Sequence, residues 1–241
     1  MRRAQELIER VGDVSHALSM LWARFNHHWK RGDAEQAHAL AQQYAALSER
    51  SGDAQHAIAA HVALGRSLLV AARYGEAQAA LERAVALYDP ERHGGSALAF
   101  GVDLAVSAQV ALAAVSWSTG HLERSAAWLE RAEAAAEALE DAGTTCHLLV
   151  HAAMVHHCRR DRDAVRRAAQ RLIELAEPLG LTQWLTFGGL LRAWIERDVE
   201  GGNRLLADMS AVGMGQPYPR WSSLVAESEM ELGRFEAALA R

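Results

Sequence analysis

The chain has 241 residues, 50% of them hydrophobic and 23% charged, a composition that can bury a continuous core and excludes a disordered chain. The net charge of -5 argues against nucleic-acid or anionic-membrane binding through a basic field. Two cysteines, Cys146 and Cys158, are too few for a disulfide framework and fit a reducing cytosol.

The N-terminus, Met1-Arg2-Arg3-Ala4, turns polar at once, without an apolar signal core. Arg3 to Val11 reads as the second helix of a repeat whose first helix is missing. Short glycine turns then divide the chain: Gly12-Asp13, Gly32-Asp33, Gly52-Asp53, Gly120-His121 and Gly233-Arg234. Glycine supplies the left-handed position that ends one helix, and Asp can cap the next. Between the turns apolar residues keep helical spacing, as in Leu40, Tyr44, Leu47 and in Leu122, Trp128, Leu129. Turns within pairs near Gly32, Ala72, Gly120, Arg160 and Gly233, with a degenerate one near Asp198, lie roughly 36 to 48 residues apart.

Arg92 to Asp103 reads as a long loop between pairs, with Asp103 a cap for the next helix. The run Leu104 to Trp117 is the most apolar, but Ser107 and Gln109 interrupt it and it is short of a bilayer span. Trp194 to Gly202 reads as a shortened repeat without a full helix-turn. Gly213 to Pro219 is a break before the last helix, where proline costs little. Phe235 to Leu239 starts a second helix that stops at Arg241. About five complete helix pairs are expected, in one all-α domain over residues 1–241. Natural helical arrays finish with polar capping helices, and the absence of one at either end marks the chain as a piece of a longer protein.

The clearest pair reads His61-Val62-Ala63-Leu64-Gly65-Arg66-Ser67-Leu68, then Ala72-Arg73-Tyr74-Gly75-Glu76-Ala77, then Leu81, Ala84 and Pro90. It resembles the tetratricopeptide pattern, with His61 where Trp is usual. Trp184, Phe187-Gly188 and Leu191 repeat the same spacings. The resemblance implies a right-handed α-solenoid of helix pairs, whose groove receives a protein or peptide partner.

A second resemblance is more specific. Ala86-Leu87-Tyr88-Asp89-Pro90-Glu91-Arg92-His93 is similar to a signature in the C-terminal repeat region of large bacterial signalling proteins. These carry a class III adenylate/guanylate cyclase or another output domain, then a P-loop ATPase module, then tetratricopeptide-like repeats. The likeness extends to Leu21-Trp22, Trp29-Lys30-Arg31-Gly32, Phe100-Gly101-Val102-Asp103, Trp117 to Gly120, and Trp184-Leu185 with Gly188. It implies a regulatory or scaffolding arm in the bacterial cytoplasm, with an ATPase or cyclase module of the same polypeptide as partner. The repeat arm of an ATPase-type transcriptional activator is the alternative setting. The catalytic parts do not carry over: a P-loop needs a lysine after its glycines, and the only lysine is Lys30, preceded by Trp29.

Several clusters remain. Cys146, His147, His151, His156, His157 and Cys158 include two histidines on one helix face, with Cys158 about two turns further on. Without His-Glu-x-x-His or Cys-x-x-Cys this reads as a helix surface, with a small helical metal-binding domain at His147, His151 and Cys158 as the lesser alternative. Arg159, Arg160, Arg162, Arg166, Arg167 and Arg171 read as a solvated face with pairs such as Asp163–Arg167. No nucleophile–base arrangement is readable, so neither catalysis nor a cofactor is expected. Trp22, Asn26 and Trp29 share one helix face. With Lys30 they form the proposed partner site, which Arg66, Trp117, Met154, His157, Arg192 and Glu227 join by register along the first helices.

Overall fold

The computed structural model describes residues 14–211 and 219–240. Among them are fourteen helices and no strand. The expected helix at Arg3–Val11, the Gly12-Asp13 turn and most of the break after Gly213 lie outside the described residues. No helix among those described is long and apolar enough to cross a membrane.

Six helix pairs follow one another: α1 (Val14–Lys30) with α2 (Ala34–Ser51), and α3 (Ala54–Val70) with α4 (Tyr74–Leu87). Two short helices, α5 (Pro90–His93) and α6 (Ser96–Phe100), precede α7 (Leu104–Ser118) and α8 (Leu122–Leu139). Then come α9 (Ala142–Cys158) with α10 (Arg162–Ala176), and α11 (Thr182–Glu196) with α12 (Val199–Ala211). The last pair is α13 (Pro219–Glu231) with α14 (Phe235–Leu239).

One local device closes all six pairs. The residues Gly32, Ala72, Gly120, Arg160, Arg197 and Gly233 each adopt positive φ, from 56° to 82°. The residue after each then donates its N–H to the carbonyl five places back, from Asp33 to His28, Arg73 to Leu68, His121 to Ser116, Asp161 to His156, Asp198 to Ala193, and Arg234 to Glu229, at 2.8–3.1 Å. This is the Schellman closure of a helix C-terminus. The same residue opens the next helix, because its carbonyl accepts the N–H four places on, as in Ala37 to Asp33 and Val165 to Asp161. Asp33, Asp53, Asp103, Asp141, Asp161 and Asp198 add side-chain caps.

Two sequence expectations change. The fifth pair is complete: Arg197 takes the left-handed conformation at φ 58°, and a full helix, α12, follows it. No glycine marks this turn, so it reads as degenerate in sequence. The long loop after Arg92 instead holds α5 and α6, with Asp103 capping α7 as expected.

The described residues form two compact units, one of residues 14–29 and 33–139, the other of 30–32, 140–211 and 219–240. In the first, Leu18, Phe25, Tyr44, Ile58, Leu81, Leu104 and Leu112 form a continuous core. In the second, Val165, Leu172, Phe187, Leu191, Trp194 and Trp221 do so. Within pairs, α3 packs on α4, α7 on α8, α9 on α10 and α11 on α12. Between pairs, α2 packs on α3, α4 on α7, α10 on α11 and α12 on α13.

Gly65 lets α3 and α4 approach. A Cβ built there would lie 2.4 Å from Leu81 Cγ, inside the core, whereas a Cβ on Gly75 meets nothing within 4 Å. Gly65→Ala should therefore destabilise by about 1–3 kcal/mol through overpacking. Gly75→Ala should be neutral or stabilise by up to about 1 kcal/mol. Urea midpoints of the two variants separate these outcomes.

Candidate functional site

Aligning the six turns brings one position of each first helix into correspondence. Three residues before the left-handed residue stand Trp29, Leu69, Trp117, His157, Trp194 and Met230. For the last five, the turn N–H donates to that residue's carbonyl at 2.9–3.3 Å, so the closure fixes their backbone position. In the first unit Trp29, Leu69 and Trp117 are all half-buried.

Trp22 does not share that openness. It is 7% exposed, its Nε1 donates to the Phe100 carbonyl at 3.3 Å, and its ring meets those of Phe25, Tyr44 and Phe100 at 5.1–5.8 Å. The sequence places it on one face with Trp29, but α6 covers that part of the face with Phe100. Trp22 is a core residue. Asn26 turns its amide back to the Trp22 carbonyl at 3.0 Å. Trp29 carries the Arg66 guanidinium over its ring, 3.9 Å from the centroid, and Arg66 is buried. That cation is thus stacked within the protein rather than extended into solvent.

The Tyr88–His93 signature is a structural clasp. The Tyr88 hydroxyl donates to Asp103 Oδ2 at 2.5 Å, as does Ser96 Oγ at 2.7 Å, while Asp103 Oδ1 accepts the Val106 N–H at 3.0 Å. Burial, then the Asp103 carboxylate, pushes the Tyr88 hydroxyl pKa well up, so it remains a donor. Asp89 caps α5 through Glu91 N–H, Pro90 occupies its first turn, and buried His93 accepts the Asp89 N–H at 2.9 Å. Asp103 is fully buried, and these donors replace the water it loses.

In the second unit Met154 is 3% exposed and belongs to the core, not to an open face. His157 and Glu227, joined by register in the sequence, do meet: Nε2 to Oε2 is 2.7 Å. Arg160 also pairs with Glu227. Arg192 is exposed and apart from them. Its placement assumed Gly188 to be the counterpart of Gly65. A Cβ on Gly188 would meet Ile173 of the preceding α10, whereas one on Gly189 would meet Leu205 of the pair's own second helix, as Gly65 meets Leu81. Counted from the turn at Arg197, the position equivalent to Trp29 and Trp117 is Trp194, two residues beyond Arg192. Lys30 falls in the second unit, its ammonium donating to Gln183 at 3.2 Å.

Arg162 has a role that its place in the arginine run does not announce. Its guanidinium lies over the Trp194 ring at 4.4 Å, donates to the Trp194 and Ile195 carbonyls, and pairs with Glu231 at 2.8 Å. In the arginine run, Asp163 pairs with Arg166 rather than with Arg167. His147 and His151 meet ring to ring at 4.4 Å, Cys146 is buried and its thiol pushed up to about 11 by burial and then Asp141, and Cys158 is exposed. Among the described residues no three His, Cys, Asp or Glu gather as metal ligands.

No family model and no curated protein matches the chain. Solved structures do. Aspartyl phosphate phosphatase F from Bacillus subtilis is similar over 95% of this chain and 58% of its own, at 13% identity and TM-score 0.69. A Rap protein complexed with Competence and Sporulation Factor is similar over 99% of this chain and 65% of its own, at 14% identity and TM-score 0.71. The fold is a tetratricopeptide-like helical repeat. The chain spans less than two thirds of either neighbour.

Within the signature, Tyr88→Phe leaves the buried Asp103 carboxylate short of a donor and should cost about 1.5–3 kcal/mol. Arg92→Ala, on an exposed side chain of the same motif, should change stability by less than about 0.5 kcal/mol. Denaturant unfolding of both variants measures the contrast.

Proposed function

We propose that the chain is a non-catalytic repeat module that binds a protein or peptide partner. The observation that carries this reading is the position three residues before each turn, which in the first unit is held by the half-buried Trp29, Leu69 and Trp117. Half-exposed aromatic side chains on rigid backbone are the composition of interface anchors. Support also comes from a fold neighbour complexed with a factor. The other neighbour is described as a phosphatase, but at 13% identity its activity does not transfer.

The finer setting is a cytoplasmic bacterial signalling protein of the cyclase/ATPase type, with this module as its regulatory arm and the ATPase module as its partner. That setting rests on the resemblance of Tyr88–His93 and its companions. The two units, on this reading, belong to one repeat domain over residues 1–241.

Trp117→Ala tests the module. Titrated with the ATPase module of its own polypeptide, the variant should bind more than about 1 kcal/mol more weakly while its melting temperature stays near that of the parent. Early unfolding with normal binding by the folded fraction would make Trp117 a packing residue and remove it from the site. Pure protein should also leave ATP unconsumed. Turnover abolished by a point change in this chain would overturn the non-catalytic reading.

A further inference from the structure

The short helix α6 is held at its two ends. At its start the buried Ser96 donates its hydroxyl to Asp103 Oδ2 at 2.7 Å. At its other end the half-buried Phe100 meets two rings near right angles, that of Trp22 at 5.1 Å and that of His56 at 5.8 Å. The Phe100 carbonyl also accepts the Trp22 Nε1–H at 3.3 Å. Between these points Leu98 is 99% exposed and Ala99 is exposed, so the middle of α6 adds little apolar burial.

Of the rings in that seat, His56 alone changes charge near neutral pH. It stands in the first turn of α3, where the exposed N–H groups disfavour a cation. Its Nδ1 shares a hydrogen bond of 2.6 Å with Tyr44 Oη of α2, a side chain closed to solvent. Burial, then the Asp53 carboxylate, pushes the Tyr44 hydroxyl pKa well up, so it keeps its hydrogen and donates to a bare Nδ1. A proton on Nδ1 turns that acceptor into a donor and strands the hydroxyl hydrogen away from water. The charge that acts on His56 is Asp53, in the turn before α3, and its Oδ1 is occupied by the Gln55 N–H at 2.7 Å. Glu49 and Arg50 at the end of α2 are exposed, and α6 carries no charged residue.

We propose that His56 is a proton-operated catch for α6: the neutral imidazole seats Phe100, and the imidazolium releases it and bares the Trp22 ring. The release stands on its own. Its bearing on partner binding, through the helix face that Trp22 shares with Trp29, rests on the binding-module reading.

The sign follows from solvation. A cation at His56 must recover water, and Phe100 is one of the rings that keep water out. Burial accordingly lowers His56 from its ordinary 6.5, against the opposing pull of Asp53. A folded value below the unfolded one makes the contribution complete above 6.5, and it is lost as pH falls through the folded value. Acid therefore loosens this site, and α6, its lightest-held element, opens first.

Hydrogen–deuterium exchange of the whole chain, corrected for the intrinsic effect of pH on exchange, is the test. In α6 the Leu98 N–H is bonded to the Gly95 carbonyl at 3.2 Å and the Gly101 N–H to the Ala97 carbonyl at 2.8 Å. Protection of both should fall about tenfold between pH ~7 and ~5, above the ordinary carboxylate values near ~4, while α3 and α7 keep theirs. His56→Gln retains an acceptor for Tyr44 but takes up no proton, so it should abolish the step. If that variant fails to fold, Phe100→Ala gives the second reading: α6 already unprotected at pH ~7, with no further fall. A step that persists in either variant, constant protection in the parent, or an equal fall through α3 and α7 would overturn the catch. So would a fall that includes the Gly94 N–H of α5, because it would place the switch at His93, whose Nδ1 accepts the Asp89 N–H. Opening of α6 with unchanged binding to the ATPase module at the two pH values would keep the catch and remove its bearing on the partner face.

Discussion

The N–H that closes each pair, given by the residue after the turn to a carbonyl five places back, sets everything that depends on register. It ends one helix and starts the next within three residues, so the two helices must fold back on each other. Because the same residue serves as C-terminal lock and N-terminal cap, neither helix can shift without breaking both. Equivalent side chains therefore recur at equivalent positions of each pair, and their recurrence within each unit is a consequence of backbone closure before it is a matter of side-chain choice.

Where glycine marks the left-handed position, as at Gly32, Gly120 and Gly233, the turn is legible in sequence. Ala72 and Arg160 occupy the same conformation and were found by spacing. The turn at Arg197 was read only as a degenerate one near Asp198, because a non-glycine residue there costs about 1–3 kcal/mol and nothing local announces that the packing of α11 and α12 offsets it. The caps at Asp33 and Asp53 were legible for the opposite reason: a short side chain beside a glycine has few better uses than the exposed N–H groups of the next turn.

The candidate face was read less completely, and the losses have physical causes. Periodicity puts Trp22, Asn26 and Trp29 on one side of α1, but it cannot foresee that α6, an insertion between the second and third pairs, brings Phe100 onto Trp22. Adjacent glycines defeat register reading at Gly188-Gly189, because neither stands seven residues before its turn as Gly65 stands before Ala72, and only the left-handed residue Arg197 sets the count. His157 and Glu227, both assigned to the partner face by register, pair with each other instead of standing free.

The Tyr-Asp-Pro-Glu-Arg-His run shows why a specific signature can be silent about ligands. Each of its constrained members is consumed by structure: Tyr88 by Asp103, Asp89 by the start of α5, Pro90 by the first turn, His93 by the Asp89 N–H. Glu91 and Arg92 are exposed. The motif therefore specifies how the chain crosses from the second pair to the third around a buried carboxylate. In this chain the crossing brings with it α6, whose Phe100 covers Trp22. In the first unit the positions this crossing leaves open lie near the ends of the first helices, where Trp29, Leu69 and Trp117 are partly exposed.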